Sequence, residues 1–155
     1  MDIDFREATL DDLPEITALF KDTIRAVNRK DYSEKQVEAW ASEADNSSKW
    51  QKRIQKTYFL VADLDGQIVG FAWLKNGFYM DGMFVHKNFQ RKTIGSKLLR
   101  IIESRVSMND FDTIKADIST TALPFFDSHY YEVKKKQKKS LKSEVLEHYI
   151  VYREL

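Results

Sequence analysis

Apolar and polar positions change period several times along the chain, and each change marks an element. In "IDFREAT", Ile3 and Phe5 alternate with charged neighbours, the period of a half-buried strand. Leu13, Ile16, Leu19, Phe20, Thr23, Ile24 and Val27 then recur at three- and four-residue spacing, one face of a helix. Asp11 and Asp12 sit at its positive end and Pro14 in its first turn. Ser33 followed by Gln36 is a capping-box signature for a short second helix ending near Trp40. "NSSKWQKRI" offers one more helical turn. "TYFLVADLDGQIVGFAWLK" places two β-rich runs around Asp65-Gly66, a tight-turn pair, and so predicts a hairpin. "GFYMDGMFV" is a further strand, Gly95–Val106 a helix packing through Ile94, Leu98, Leu99, Ile101, Ile102 and Val106, and "DTIKADI" another strand. "ALPFFDSHYY" is a short helix with Pro124 in its first turn, and "YEVKKKQ" and "EVLEHYIVYREL" form a closing strand pair.

The predicted order is β-α-α-β-β-β-α-β-α-β-β: a mixed α/β fold with about seven strands and about four helices. At its centre is a β-α-β unit from Phe78 to Ile118, whose strands should run parallel with a right-handed crossover. No repeat, linker or composition break divides residues 1–155, so one domain is expected.

Within that unit lies Val85–Leu99, "VHKNFQRKTIGSKLL", a strand end, a basic turn and a helix start. Ligands in open α/β sheets favour such places, because the first turn of a helix has unpaired N–H groups and positive potential. Gly95 would permit close backbone approach, Arg91 and Lys92 add charge, and Thr93 and Ser96 can donate hydroxyls. The turn is therefore either an anion cradle or a solvated basic loop. It matches neither G-x-x-x-x-G-K-[ST] nor G-x-G-x-x-G.

Composition narrows the field. The 155 residues are 43% hydrophobic and 32% charged, enough for a substantial core. There is no cysteine, which excludes disulfides, thiolate metal sites and a cysteine nucleophile. No apolar run spans a membrane, and the acidic start "MDIDFREATLDD" does not resemble a signal peptide, so the cytoplasm is expected. The net charge of +1 argues against a general affinity for nucleic acid. The charge is uneven: residues 1–22 hold seven acids and two bases, Glu132–Leu155 seven bases and four acids. The run Lys134–Lys142 either meets an acidic partner or is a lysine-protected strand edge. It lacks the interleaved aromatics that stack on bases, so nucleic acid is not the expected partner.

"VHKNFQRKTIGSKLL" resembles the acetyl-CoA signature of the GNAT acetyltransferase superfamily, V-x-P-x-[YF]-[QR]-x-x-G-x-G-[SR]-x-L-[LI]. "FREATLDDLPEITALF", "YFLVADLDGQIVGFAWL" and "TALPFFDSHYYEV" resemble its other segments in the same order. The resemblance implies a twisted mixed sheet whose central parallel strands splay apart around acetyl-CoA. It also implies direct acetyl transfer to a primary amine of a small molecule, amino acid or peptide, with no metal and with a possible homodimer. Met83, Phe84 and Val85 would lie along the pantetheine arm, and Gln90, Arg91, Lys92, Thr93, Ile94, Gly95 and Ser96 match the pyrophosphate loop.

Two positions depart from the family pattern. Thr93 replaces the first loop glycine; with Gly95 and Ser96 retained, it is expected at an ordinary φ, its hydroxyl free to bond phosphate. Phe126 replaces a tyrosine that often protonates the leaving thiolate, and Tyr130 stands where a glycine follows. The alternative to an active enzyme is a CoA-binding regulatory module.

Tyr79, Asp81, Met83 and Val85 should share one strand face by alternation. Asp81 is a candidate general base or a structural acceptor, and Tyr79 acts through water or packs. His129 is a candidate acid or a helix-end residue. His86 belongs to the cofactor rim, and His148 is taken as structural. Tyr32 and Trp40 are acceptor-pocket candidates or core residues, and Arg25, Asn28 and Arg29 could greet a substrate carboxylate.

Overall fold

The computed structural model describes residues 2–155. Strand β1 (Ile3–Glu7) leads to helices α1 (Leu13–Ala26), α2 (Glu34–Ala41) and α3 (Ser47–Lys56). Strands β2 (Tyr58–Leu64), β3 (Gln67–Lys75) and β4 (Tyr79–Val85) follow, then α4 (Ile94–Met108), β5 (Thr113–Ser119), α5 (Leu123–Ser128), β6 (Glu132–Leu141) and β7 (Glu144–Glu154). The strands form one twisted mixed sheet in the order β1-β2-β3-β4-β5-β7-β6. Every neighbouring pair is antiparallel except β4 and β5. Among the described residues no helix is long and apolar enough to cross a membrane.

Local signals account for most element ends. Ser33 accepts the Gln36 N–H at 3.1 Å while the Gln36 side chain accepts the Ser33 N–H at 2.8 Å, completing the capping box of α2. Asp65 and Gly66 both have positive φ, as a tight β2–β3 hairpin requires. Helix α3 is longer than the single turn expected: it runs ten residues. Asn46 caps it by accepting the Lys49 N–H, and Trp50 and Ile54, four residues apart, are its buried anchors.

Each face of the sheet carries a core. Met80, Ile94, Leu98, Ile102, Ile114, Ala116 and Ile118 pack beneath α4 and α5. Ile16, Phe20, Trp50, Phe59, Phe71 and Trp73 pack beneath α1 to α3.

Two irregularities in β4 create the site. First, β4 pairs with β5 only at Tyr79–Lys115 and Met80–Ala116; beyond that the strands part. Second, Trp73 faces Gly82 while Leu74 faces Met80, so Asp81 is an extra residue, a β-bulge. The bulge breaks the alternation expected over Tyr79–Val85. Met83 and Val85 pack toward α4, whereas Asp81 turns to the opposite face, where it accepts the Trp73 indole N–H at 3.2 Å. Gly82 is required beneath that indole, since a Cβ there would lie 2.2 Å from the ring.

Candidate functional site

A cavity of about 850 Å³ opens where β4 and β5 part. One wall is the edge of β4. His86 donates its backbone N–H to the Val69 carbonyl at 2.8 Å. By antiparallel alternation Phe84 and Gly82 also bond toward β3, so the amides of Met83 and Val85 turn to the gap that β5 has vacated. Phe84 contributes its ring to the cavity wall, with its backbone committed to β3. Across the gap Thr121 presents a buried hydroxyl with no hydrogen-bond partner among the described residues. Unpaired strand amides facing an orphaned hydroxyl suit a ligand with amides of its own.

The loop before α4 closes one end. Gln90 is tethered through its side-chain N–H to the Val85 carbonyl. Gln90, Arg91, Thr93, Gly95 and Ser96 line the cavity; Lys92 is exposed beside it and Ile94 is core. Thr93 is not at an ordinary φ as expected. It lies in the left-handed region at φ 66°, as does Arg91 at 59°. Left-handed residues interspersed with ordinary ones turn successive N–H groups into one concavity, which explains why the shape survives without the glycine. The threonine bears backbone strain to keep it. Tyr130, at the other family glycine position, also has positive φ, 69°. Gly95 is needed for closeness: a Cβ would meet the Phe125 ring at 3.3 Å.

His129 caps α5 and is held at both nitrogens. Nδ1–H donates to the Phe125 carbonyl at 2.8 Å, and that tautomer leaves Nε2 to accept the Ser96 hydroxyl at 2.9 Å. Its geometry orients Ser96 at the loop. Phe126 is 2% exposed, edge-on to Tyr131. Tyr79 does not line the cavity, and burial, with Asp117 and Asp81 nearby, pushes its phenol up.

The far wall holds a pair that sequence reasoning missed. His148 on β7 lies diagonal to Asp117 on β5, and its Nδ1 hydrogen-bonds the Asp117 carboxylate. Both line the cavity, and no other side-chain bond of His148 exists among the described residues. Burial raises the Asp117 carboxyl above its ordinary value, against the pull of His148. Asp117 is the residue after Ala116, the last β5 position paired with β4. Asp81 holds the equivalent place after Met80, so the strands part at two carboxylates. Only the pairing of β5 with β7 brings His148 here, and His148 is 31 residues from Asp117 in sequence.

Tyr32 is 9% exposed and donates its hydroxyl to the Glu147 carbonyl at 2.7 Å while accepting the Thr120 N–H at 2.9 Å. It staples the chain before α2 to the β5–α5 and β6–β7 regions. Trp40, half-buried, meets Tyr32 edge-on, and both line the cavity. Asn28 is buried there and bonds Ser119, whereas Arg25 pairs with Glu38 outside and Arg29 is exposed. His86 lies off the cavity, bonded by its ring to the Asn88 N–H. Lys134–Lys142 falls mostly on exposed edge strand β6; Lys136 pairs with Glu147, and Lys139 reaches the cavity rim.

Residues 28–144 match the family model described as "Acetyltransferase (GNAT) domain". The chain is 29% identical over 128 residues to "Uncharacterized N-acetyltransferase YafP" of Escherichia coli K12, covering 82% of this chain and 79% of that protein. Its fold superimposes with a TM-score of 0.96 on a GCN5-related N-acetyltransferase structure from Rhodopseudomonas palustris. The two are 30% identical, over 100% of this chain and 97% of the other. The PaiA N-acetyltransferase of Thermoplasma acidophilum, solved with coenzyme A, is 17% identical with a TM-score of 0.82 over the whole of both chains.

Proposed function

The chain belongs to the GNAT acetyltransferase family, and we propose that it moves the acetyl group of acetyl-CoA directly onto a primary amine of a small molecule, amino acid or peptide. The observation that carries this is the cavity at the strand split, with outward amides on one wall and His148–Asp117 on the other. Acetyl-CoA supplies an activated acyl carbon and a thiolate leaving group. The loop Gln90–Ser96 takes the pyrophosphate on its N–H groups, helped by the Thr93 hydroxyl and the Arg91 charge, while the Ser96 hydroxyl stays bonded to His129. Met83 and Val85 pair with the pantetheine amides, and an N–H on this edge steadies the developing oxyanion.

Only a neutral amine attacks, so an arriving ammonium must lose a proton. Asp81 and Asp117 attract the ammonium. Asp117 accepts the His148 Nδ1–H, which leaves Nε2 as the base that takes the proton. Asp81 is less suited to that step because Trp73 already donates to it. Phe126 offers no proton to the departing sulfur; with a thiol pKa of about 8.5, the thiolate leaves near neutrality without one. Tyr32 and Trp40 bound the acceptor end.

Acetyl-CoA at a hundred times its Kd should stabilise the fold by about 2.7 kcal/mol. Absence of any thermal shift would remove the reading. A shift without amine-dependent thiol release across a broad panel would favour a CoA-binding regulatory module, the alternative that Phe126 supports.

A further inference from the structure

Arg53 on α3 lines the same cavity. Its guanidinium carbon lies 4.6 Å from the Trp50 ring centroid and 4.7 Å from that of Trp73, packed against two indoles that meet each other edge-on. Burial lowers its pKa, while Asp81 and Glu43 act on it only through space. Among the described residues its guanidinium makes no hydrogen bond and no ion pair. Glu43 pairs instead with Lys49 at 3.7 Å, and Asp81 is bonded by Trp73. A guanidinium has five N–H donors in a flat fork. Contact with the indole rings holds the cation by cation–π attraction but supplies no acceptor for its N–H donors. Losing water without gaining an acceptor is costly, so a partly buried fork facing a cavity is a place for an anion.

We propose that Arg53 binds an oxyanion on the acceptor, so that the substrate amine carries a carboxylate or phosphate. This deepens the acetyltransferase reading and rests on it. The site then has two ends. Asp81 and Asp117 face the ammonium where the strands part, and Arg53 faces the anion, with Trp73 touching both Asp81 and Arg53. An acceptor with both charges satisfies both ends, and a plain alkylamine leaves the fork unpaired. Rejection by unpaired buried groups is a stronger source of selectivity than apolar fit. From the sequence, Tyr32 and Trp40 were the acceptor-pocket candidates, and Arg25, Asn28 and Arg29 the groups that could greet a substrate carboxylate. Arg53 escaped notice because its two tryptophans come from different elements, α3 and β3.

The test compares acceptors that differ only in the anion: free amino acids against their carboxamides, and aminoalkyl phosphates against the matching amino alcohols. The wild type should favour the anionic member of a pair at least tenfold in kcat/KM, through KM. Preference within the amino-acid pairs alone identifies a carboxylate, and preference within the phosphate pairs alone a phosphate. Arg53→Gln should erase the preference while leaving the neutral members and the KM for acetyl-CoA unchanged. Arg53→Lys, which keeps charge without the fork, should restore it only in part. Equal rates within every wild-type pair overturn the proposal, as does a uniform loss in Arg53→Gln. Should no amine be acetylated, calorimetry with N-acetylglycine and N-acetylglycinamide on the unliganded protein, and with aminoethyl phosphate against ethanolamine, still decides. Tighter binding of an anionic probe, lost in Arg53→Gln, sustains the anion site while the transfer reading fails; no such difference overturns the site. Melting curves confirm that the variants fold, and the wild-type comparisons stand without them.

Discussion

Replacing Thr93 with glycine separates strain from binding at the loop before α4. Thr93 has φ 66° and ψ −2°, and its side chain makes no capping hydrogen bond to the helix it precedes. The left-handed conformation costs a residue with a Cβ about 1–2 kcal/mol, and β-branching favours the upper part. Glycine removes that strain but gives the unfolded chain more freedom, an offset of roughly 0.5–1 kcal/mol. The net stabilisation is about 0.5–1 kcal/mol, a rise in Tm of about 1–4 °C for a chain of this size. Affinity should move the other way. A hydroxyl bonded to a charged phosphate contributes about 1.5–3 kcal/mol, so Thr93→Gly should weaken acetyl-CoA roughly ten- to a hundredfold. Melting without ligand gives the first quantity and calorimetric titration the second. A fall in Tm would refute the strain argument. Unchanged affinity would remove the hydroxyl from the phosphate site, and a large gain would mean that strain holds the loop out of its binding shape.

Three further outcomes follow from the geometry. Gly82→Ala sets a Cβ 2.2 Å from the Trp73 ring; overpacking of this kind costs about 1–3 kcal/mol, and chemical denaturation should show it together with a rise in acceptor KM as Arg53 and Asp81 shift. Asp117→Asn should leave Tm unchanged or raise it, because burial disfavours that carboxylate, while lowering kcat and displacing the pH–rate profile; an unaltered profile would dismiss the pair. Arg6 grips Asp12 with two bonds of 2.9 Å and holds its carboxyl pKa below the ordinary aspartate value. A depressed acid stabilises the fold above its unfolded pKa and loses that contribution as pH falls through the folded value. Asp12→Asn should therefore cost about 1 kcal/mol at neutral pH and progressively less as pH falls through the folded carboxyl's pKa, read from denaturant midpoints.

Features written in local order were legible in the sequence. The apolar face of α1, the Ser33–Gln36 box and the Asp65-Gly66 turn each rest on residues close in sequence, and each appears as expected. The loop before α4 was legible as a candidate ligand cradle for the same reason. The left-handed φ of Thr93 was not, since a threonine gives no sign that surrounding packing has forced it there. The bulge at Asp81 was equally silent, and it undid an alternation argument that holds only for regular strands. Helix α3 was underestimated because only Trp50 and Ile54 interrupt its polar surface. His148–Asp117 and Arg53–Trp73 depend on strand order and on packing between elements distant in sequence.

Amine-dependent release of CoA thiol by the wild type and His148→Ala, with acetyl-CoA affinity measured in parallel, tests the central claim most directly. The account predicts N-acetylated product in step with released thiol. It also predicts a loss of kcat of about 10²–10⁴-fold in His148→Ala, the usual worth of a general base, at unchanged acetyl-CoA affinity. Tight acetyl-CoA binding with no amine-dependent thiol release in the wild type, or full activity in His148→Ala, would contradict it.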